Sequence, residues 1–559
     1  MKKSTVSNSA LILLLIILIN GCGLSKMTSK YDTVSYNVTP PILQAHGGKV
    51  LLKIDGKIPE KYFHKNAKVS FTPILNGETS ETRFKTITLQ GEEASGGDKT
   101  ISYVNGGSFT YEDEIKYNKE MLASNLNIEA IATLKDESEQ LGPVKVAQGV
   151  IATSQRVQNT EEIAISNHGY EKETILSEVA TIYFLVNQSA IRTSEKSNED
   201  MKRLEEFAKL GYKTHSIDIN SYASPEGTID ANDDVSERRN NSTIKYTKKI
   251  LKRLDLDGAD NNDLYSNTSY GEDWDGFNRL MKASNMKDKR RVLNIVNSVQ
   301  DPEKREQAIR DMSELYDAID KNILPQLRKA NIKIQSYQPK RTDDNILALS
   351  ISNPDSLDQS ELLFAATLTK NRTTKLEIYN NAIKIYDNWR AYNNIASIYL
   401  SENNLEEAEK WLNKINTKVV NKHHSDILTN KGIISARKGN LQLAQKLFNQ
   451  AGTSELNQAI LDIRQGKYDK AARFFKNSTS HNAVLAKILN GNNNDKCNDN
   501  TPACYYLNAI LGARTSNIDM IKKNLSMAIS ADISYKSLAR KDLEFINFKD
   551  NLEFISITE

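Results

Sequence analysis

Between Tyr392 and Phe475 the sequence repeats itself, and this repetition limits the fold more than any other feature. Tyr392, Ile395, Ala396, Tyr399, Asn403, Ala408, Leu412 and Ile415 set out one helix–turn–helix. Gly432, Gly439, Ala444, Phe448 and Ala451 set out a second, and Ala459, Gly466, Ala471 and Phe475 a third. A small residue opens the second helix of each pair, at Ala408, Ala444 and Ala471, in steps of 36 and 27. A helix pair with a period of about 34 residues cannot bury its apolar face alone, so pairs must stack on one another. The small residues allow the two helices of a pair to approach closely. Weaker copies flank these around residues 360–386 and 503–531, so an α-helical solenoid is expected over residues 356–559.

This spacing resembles the tetratricopeptide repeat. The resemblance implies a concave groove that binds an extended or helical peptide, and so an unidentified envelope protein as partner. Cys497 and Cys504 lie in an Asn-rich loop within the same region. In an oxidising compartment a disulfide closing that loop is expected. A metal site needs more ligands than the neighbouring sequence supplies.

The chain opens with Lys2 and Lys3, followed by an unbroken apolar run from Ala10 to Ile19. Ten residues are too few to span a bilayer core, which takes about 20, so residues 1–21 read as a signal peptide. The run ends in Asn20-Gly21-Cys22, which resembles a bacterial lipobox. The resemblance implies cleavage before Cys22, acylation of its thiol, palmitate included, and anchoring in the outer membrane. Residues 22–34 are then a lipidated tether. They carry no acidic cluster of the kind that resembles a surface-export signal in Bacteroidota, which favours a periplasmic body.

Residues 35–160 read as short alternating strands, among them Val50–Ile54, Lys68–Phe71 and Asn127–Ala132. Gly47-Gly48, Asn76-Gly77, Gly96-Gly97 and Asn105-Gly106-Gly107 punctuate them. That pattern predicts a β-sandwich-like module acting as spacer or dock.

Residues 175–340 change to an α+β pattern. Within them stand Ser221-Tyr222-Ala223-Ser224-Pro225-Glu226-Gly227, then Asn232, then Val235-Ser236-Glu237-Arg238-Arg239. These residues resemble the G-Y-T-D-x-x-G, Asn and L-S-E-R-R motifs of OmpA-like domains without a gap, and Phe184 and Ser189 fall at that family's opening strand and turn. The resemblance covers about 75 contiguous residues and the last strand, with a helical insertion over about 253–329. It implies non-covalent binding of the peptidoglycan stem peptide, an Asp and the second Arg clamping the zwitterionic head of diaminopimelate. Arg239 holds the Arg position and Asn232 the Asn position, but Ser224 stands where the family has Asp. A hydroxyl brings no opposing charge to an ammonium, and Glu226 is the nearest carboxylate that could substitute. Lipoproteins of Bacteroidota that join OmpA-like and helical-repeat regions have a similar layout.

With 74 Lys and Arg against 71 Asp and Glu, the net charge of +3 gives no field for nucleic acid. Three cysteines cannot frame a disulfide-rich fold, and 11 prolines exclude a Pro-rich stalk. The seven histidines fall in no metal or triad motif, and no cofactor motif appears. The chain therefore reads as multidomain and non-catalytic, without cofactor or metal: an envelope scaffold touching the wall and a protein partner. One alternative is an accessory or assembly lipoprotein of a secretion, fimbrial or adhesion system with vestigial wall binding. A wall-remodelling enzyme is the other.

Overall fold

The computed structural model describes residues 22–415 and 424–559, and for Cys22 and His424 the backbone alone. The expected signal peptide lies outside these residues. The chain divides into two units: residues up to Asn167 together with Ile383 onward, and His168–Ala382 between them.

The first unit begins with a β-module of ten strands. They are β1 (Ser35–Thr39), β2 (Ile42–His46), β3 (Lys49–Ile58), β4 (Lys68–Asn76) and β5 (Glu81–Arg83). β6 (Ile87–Gly91), β7 (Lys99–Ile101), β8 (Gly107–Lys116), β9 (Ser124–Leu134) and β10 (Glu137–Ile151) follow. β3 pairs antiparallel with β1 and β8, and β4 with β9, which pairs in turn with β10. β2 joins the two halves, antiparallel to β3 and parallel to β10. Alternation along β3 turns Val50, Leu52 and Ile54 inward. The halves meet through rings such as Phe71 and Phe109, with centroids 5.1 Å apart. Gly56 is required on β3, because a Cβ there would collide with the Phe109 ring.

The expected tether at 22–34 is corrected. Residues Cys22–Ser29 form a helix that buries Leu24 and Met27 in the β-module core, and Tyr62 Oη donates to the Met27 carbonyl at 2.9 Å. Apolar side chains at 24 and 27 share a helical face, and burying them outweighs leaving a free leash.

The same unit continues as stacked helix pairs. Trp389–Ser401 pairs with Leu405–Asn413, His424–Arg437 with Leu441–Ala451, and Glu455–Arg464 with Tyr468–Phe474. His481–Leu489 is followed by a loop instead of a second helix, then Pro502–Arg514 pairs with Ile518–Ala531. Ala408, Ala444 and Ala471 are fully buried. Gly432 lies flat against Phe448, where no side chain fits. The helices Asp343–Ser352 and Gln359–Ala365, expected in part as repeat, fall in the other unit.

The second unit is a four-stranded sheet in the order β11 (Ile175–Tyr183), β14 (Lys329–Tyr337), β12 (Thr214–Ala223), β13 (Tyr265–Glu272). Helices Glu199–Lys209 and Ile229–Arg253 start at side-chain caps, Asn198 and Thr228. Met201, Leu204, Ile250 and Leu251 cover Ile182, Ile217, Ile332 and Ile334 of the sheet. The expected helical insertion needs a correction, since its first part supplies β13, parallel to β12. Four helices between Trp274 and Asn322 follow, with a core of their own around Phe277, Met281, Val292 and Ile319.

Candidate functional site

The first helices of successive repeats each carry a buried asparagine: Asn394, Asn430, Asn457 and Asn482. A buried carboxamide is costly unless its donor and acceptor are both used. Here each is used on one residue of an extended backbone segment. Asn482 Oδ1 accepts from Gln158 N at 2.9 Å, and its Nδ2 donates to the Gln158 carbonyl at 2.9 Å. Asn457 takes Glu162 in the same way at 2.6 and 3.0 Å, and Asn430 takes Ala164 at 2.9 and 2.8 Å. Asn394 takes Ser166 at 2.7 and 3.1 Å. A carboxamide thus does what the edge of a neighbouring strand does, one N–H and one C=O for each residue gripped. The segment between the β-module and His168 runs through the repeats as a strap, in the reverse of their chain order. A fifth asparagine, Asn508, grips the Cys497 backbone identically, at 2.9 Å for both bonds.

Side chains add to this grip. Glu161, with 1% of its side chain exposed, accepts from Arg437 at 2.8 Å and from Arg464 at 3.2 Å. Ser166 Oγ donates to Asp426 at 2.7 Å. At the strap's start Arg156 pairs with buried Asp542 at 2.6 Å and lies 4.3 Å over the Tyr506 ring. His481 Nε2 donates to the Arg156 carbonyl at 2.8 Å. Burial holds the His481 imidazole below its ordinary pKa of 6.5, and its Nδ1 has no partner among the described residues.

In the other unit the residues assigned to the wall clamp converge, but their hydrogen bonds are spent on the protein. Arg239 is 1% exposed. Its Nε donates to the Gln188 carbonyl at 3.0 Å, Nη1 to Tyr222 at 2.9 Å and Nη2 to Leu185 at 3.1 Å. Burial and then the neighbouring Arg328 cation lower its pKa to about 10, so it stays charged at neutral pH. Glu226 accepts from Arg328 at 2.7 and 2.8 Å, and Ser224 Oγ donates to Glu226 at 2.6 Å. Burial works to raise the Glu226 pKa, but the bonds from Arg328 and Ser224 outweigh it and hold the carboxyl below its ordinary range. Asn232 Nδ2 donates to Glu272 at 2.8 Å. Glu226, expected as the nearest carboxylate to substitute for the family's Asp, is held by Arg328, which the motif does not contain.

Cys497 and Cys504 form a disulfide. Cys22 is the first residue of its helix. Among the described residues no cluster of three or more His, Cys, Asp or Glu is placed to hold a metal ion, and no helix is long and apolar enough to cross a membrane.

The family model of the tetratricopeptide repeat matches residues 390–416. The chain carries a tetratricopeptide repeat. The crystal structure of a tetratricopeptide repeat protein from Parabacteroides merdae is 17% identical, with a TM-score of 0.28 over 36% of this chain and 91% of that one. No curated protein matches. Tetratricopeptide repeats mediate contacts between proteins, and in this chain the groove expected to receive a separate partner contains the chain's own strap. The ladder left a trace in the sequence: Asn394, Asn430 and Asn457 each stand fourteen residues before the alanine that opens the second helix, at 408, 444 and 471.

Proposed function

We propose that the chain is a non-catalytic scaffold lipoprotein of a bacterial envelope, acting as an accessory or assembly component whose tetratricopeptide repeats serve a protein partner. A lipid on Cys22 tethers it to the outer membrane, with the body on the periplasmic side. The helix that begins at Cys22 is packed into the β-module, so this anchor would hold the module directly against the membrane.

One observation carries the choice of accessory component over wall anchor. Every residue that the OmpA-like resemblance assigns to the stem peptide is committed within the protein: Arg239 to three carbonyls, Ser224 to Glu226, Glu226 to Arg328, Asn232 to Glu272. An incoming carboxylate must break such bonds before it gains its own, and a buried charged pair broken on one side costs about 3–5 kcal/mol. Co-sedimentation with purified sacculi tests this, using the chain from Gly23 to Glu559 and its Arg239→Ala variant. Both are expected in the supernatant. Pelleting that is lost in Arg239→Ala would overturn the reading.

A second reading retains wall contact, favoured by the half-buried carboxylate of Glu226, which Arg328 binds and which the Arg239 guanidinium also feels electrostatically. In that reading Glu226 is a gate, and Glu226→Gln converts a chain that stays in solution into one that pellets with sacculi.

A further inference from the structure

We propose that the repeat groove is a receptor for an extended acidic peptide, and that the strap over residues 156–166 is a resident occupant which such a peptide displaces. The ladder reads chiefly main chain, since Asn394, Asn430, Asn457 and Asn482 bond N–H and C=O groups that any extended peptide offers, with one side-chain bond added from Asn482 Nδ2 to Thr160 Oγ1 at 2.9 Å. Selectivity therefore lies in the side chains that the groove encloses. Glu161 is the acid read by Arg437 and Arg464. Ala164 and Ser166 mark positions gripped beside the fully buried Asn393, where small residues fit.

The strap satisfies this groove incompletely. Two guanidiniums share the one carboxylate of Glu161. Arg464 Nη2 turns to the neutral Oδ1 of Asn159 at 2.7 Å, and Arg464 Nε is buried with no partner among the described residues. A peptide with Asp or Glu in place of Asn159 gives Arg464 a carboxylate of its own, turning a guanidinium–amide bond into an ion pair at the loss of the Asn159 Nδ2 bond to Asn403 Oδ1. The partner's chemistry follows: two acids spaced two residues apart, then small residues three and five positions after the second acid.

The proposal rests on the reading that the repeats serve a protein partner. Fluorescence anisotropy tests it with labelled peptides of residues 155–167, one native in sequence and one with Asn159→Asp. The receptors are the chain from Gly23 to Glu559 and its Ser166→Arg variant, in which bulk beside Asn393 dislodges one end of the strap. A tethered competitor acts at about millimolar effective concentration, so Ser166→Arg is expected to bind both peptides at least about tenfold more tightly than the native chain. The Asn159→Asp peptide is expected to bind more tightly than the native one, and Arg464→Ala to erase that difference. Should Ser166→Arg not fold, excess Asn159→Asp peptide must speed hydrogen exchange at Glu162, Ala164 and Ser166 of the native chain. A folded Ser166→Arg variant that binds neither peptide overturns the proposal, as does strap exchange that excess peptide leaves unchanged. So does a dimer that peptide does not dissolve, which would put a second copy's strap in the groove. In the first two outcomes a partner bound elsewhere on the repeats remains open, so failure here is distinct from failure of the scaffold reading.

Discussion

Asn430 and Ala164 lie 266 residues apart in sequence and bond as two neighbouring residues of a sheet do, N–H to carboxamide oxygen at 2.9 Å and carboxamide nitrogen to carbonyl at 2.8 Å. The repeats thus hold a strand without being a sheet, and four such pairs fasten the linker.

Removing one rung should therefore be expensive. Asn430→Ala takes the carboxamide from the half-buried Ala164 N–H, while the Ala164 carbonyl keeps Asn393 and Ser397, and is expected to lower stability by about 1–3 kcal/mol. Asn449→Ala, an exposed control, should stay within about 0.5 kcal/mol. Denaturant unfolding of both variants checks the difference.

Glu161 sits between two guanidiniums, and neutralising it strands them. Glu161→Gln is expected to cost about 3–5 kcal/mol, the usual penalty for breaking one side of a buried ion pair. Adding Arg464→Met to Glu161→Gln should recover part of that loss, because one uncompensated charge is then gone. A double-mutant cycle followed by thermal melts measures the coupling.

His481 makes the strap's anchorage sensitive to acid. Its folded-state pKa lies below 6.5, so the unfolded chain binds the proton more readily. Stability from the neutral imidazole is complete above the unfolded value and falls as pH drops from there through the folded pKa. Each unit of depression corresponds to about 1.4 kcal/mol. Melting temperatures between pH 7.5 and 5 should drop more steeply in the native chain than in His481→Gln, which carries no titrating group.

The bond between Cys497 and Cys504 closes a short loop whose backbone Asn508 also holds. Its reduction should destabilise the repeats by about 2–3 kcal/mol on the loop-entropy scale. Cys497→Ser/Cys504→Ser should match the reduced protein and lose any response to dithiothreitol in the melt.

The repeat was legible because Ala408, Ala444 and Ala471 answer to local helix packing, which sequence spacing encodes directly. The strap was not. Its residues fall at the end of the expected β-module and in the unassigned stretch before residue 175, since side chains hundreds of residues away satisfy their backbone rather than a neighbouring strand. The asparagines are not among the residues that set out the repeat pattern, although the fixed distance of Asn394, Asn430 and Asn457 from those alanines is present in the sequence. Arg328 escaped for the same reason, standing 102 residues from Glu226 and outside the motif. β13 was absorbed into the expected insertion because it is an edge strand, mostly exposed, without the apolar alternation that marks a covered one.

The measurement that tests the account most directly is amide hydrogen exchange of the strap in the native chain, compared with a free peptide of residues 155–167. A ladder that holds the strand predicts exchange at Glu162, Ala164 and Ser166 at least about a hundredfold slower than in the peptide, with Asn430→Ala reducing the protection at Ala164. Exchange at the peptide's own rate would contradict it, leaving the groove empty in solution and the strap an ordinary linker.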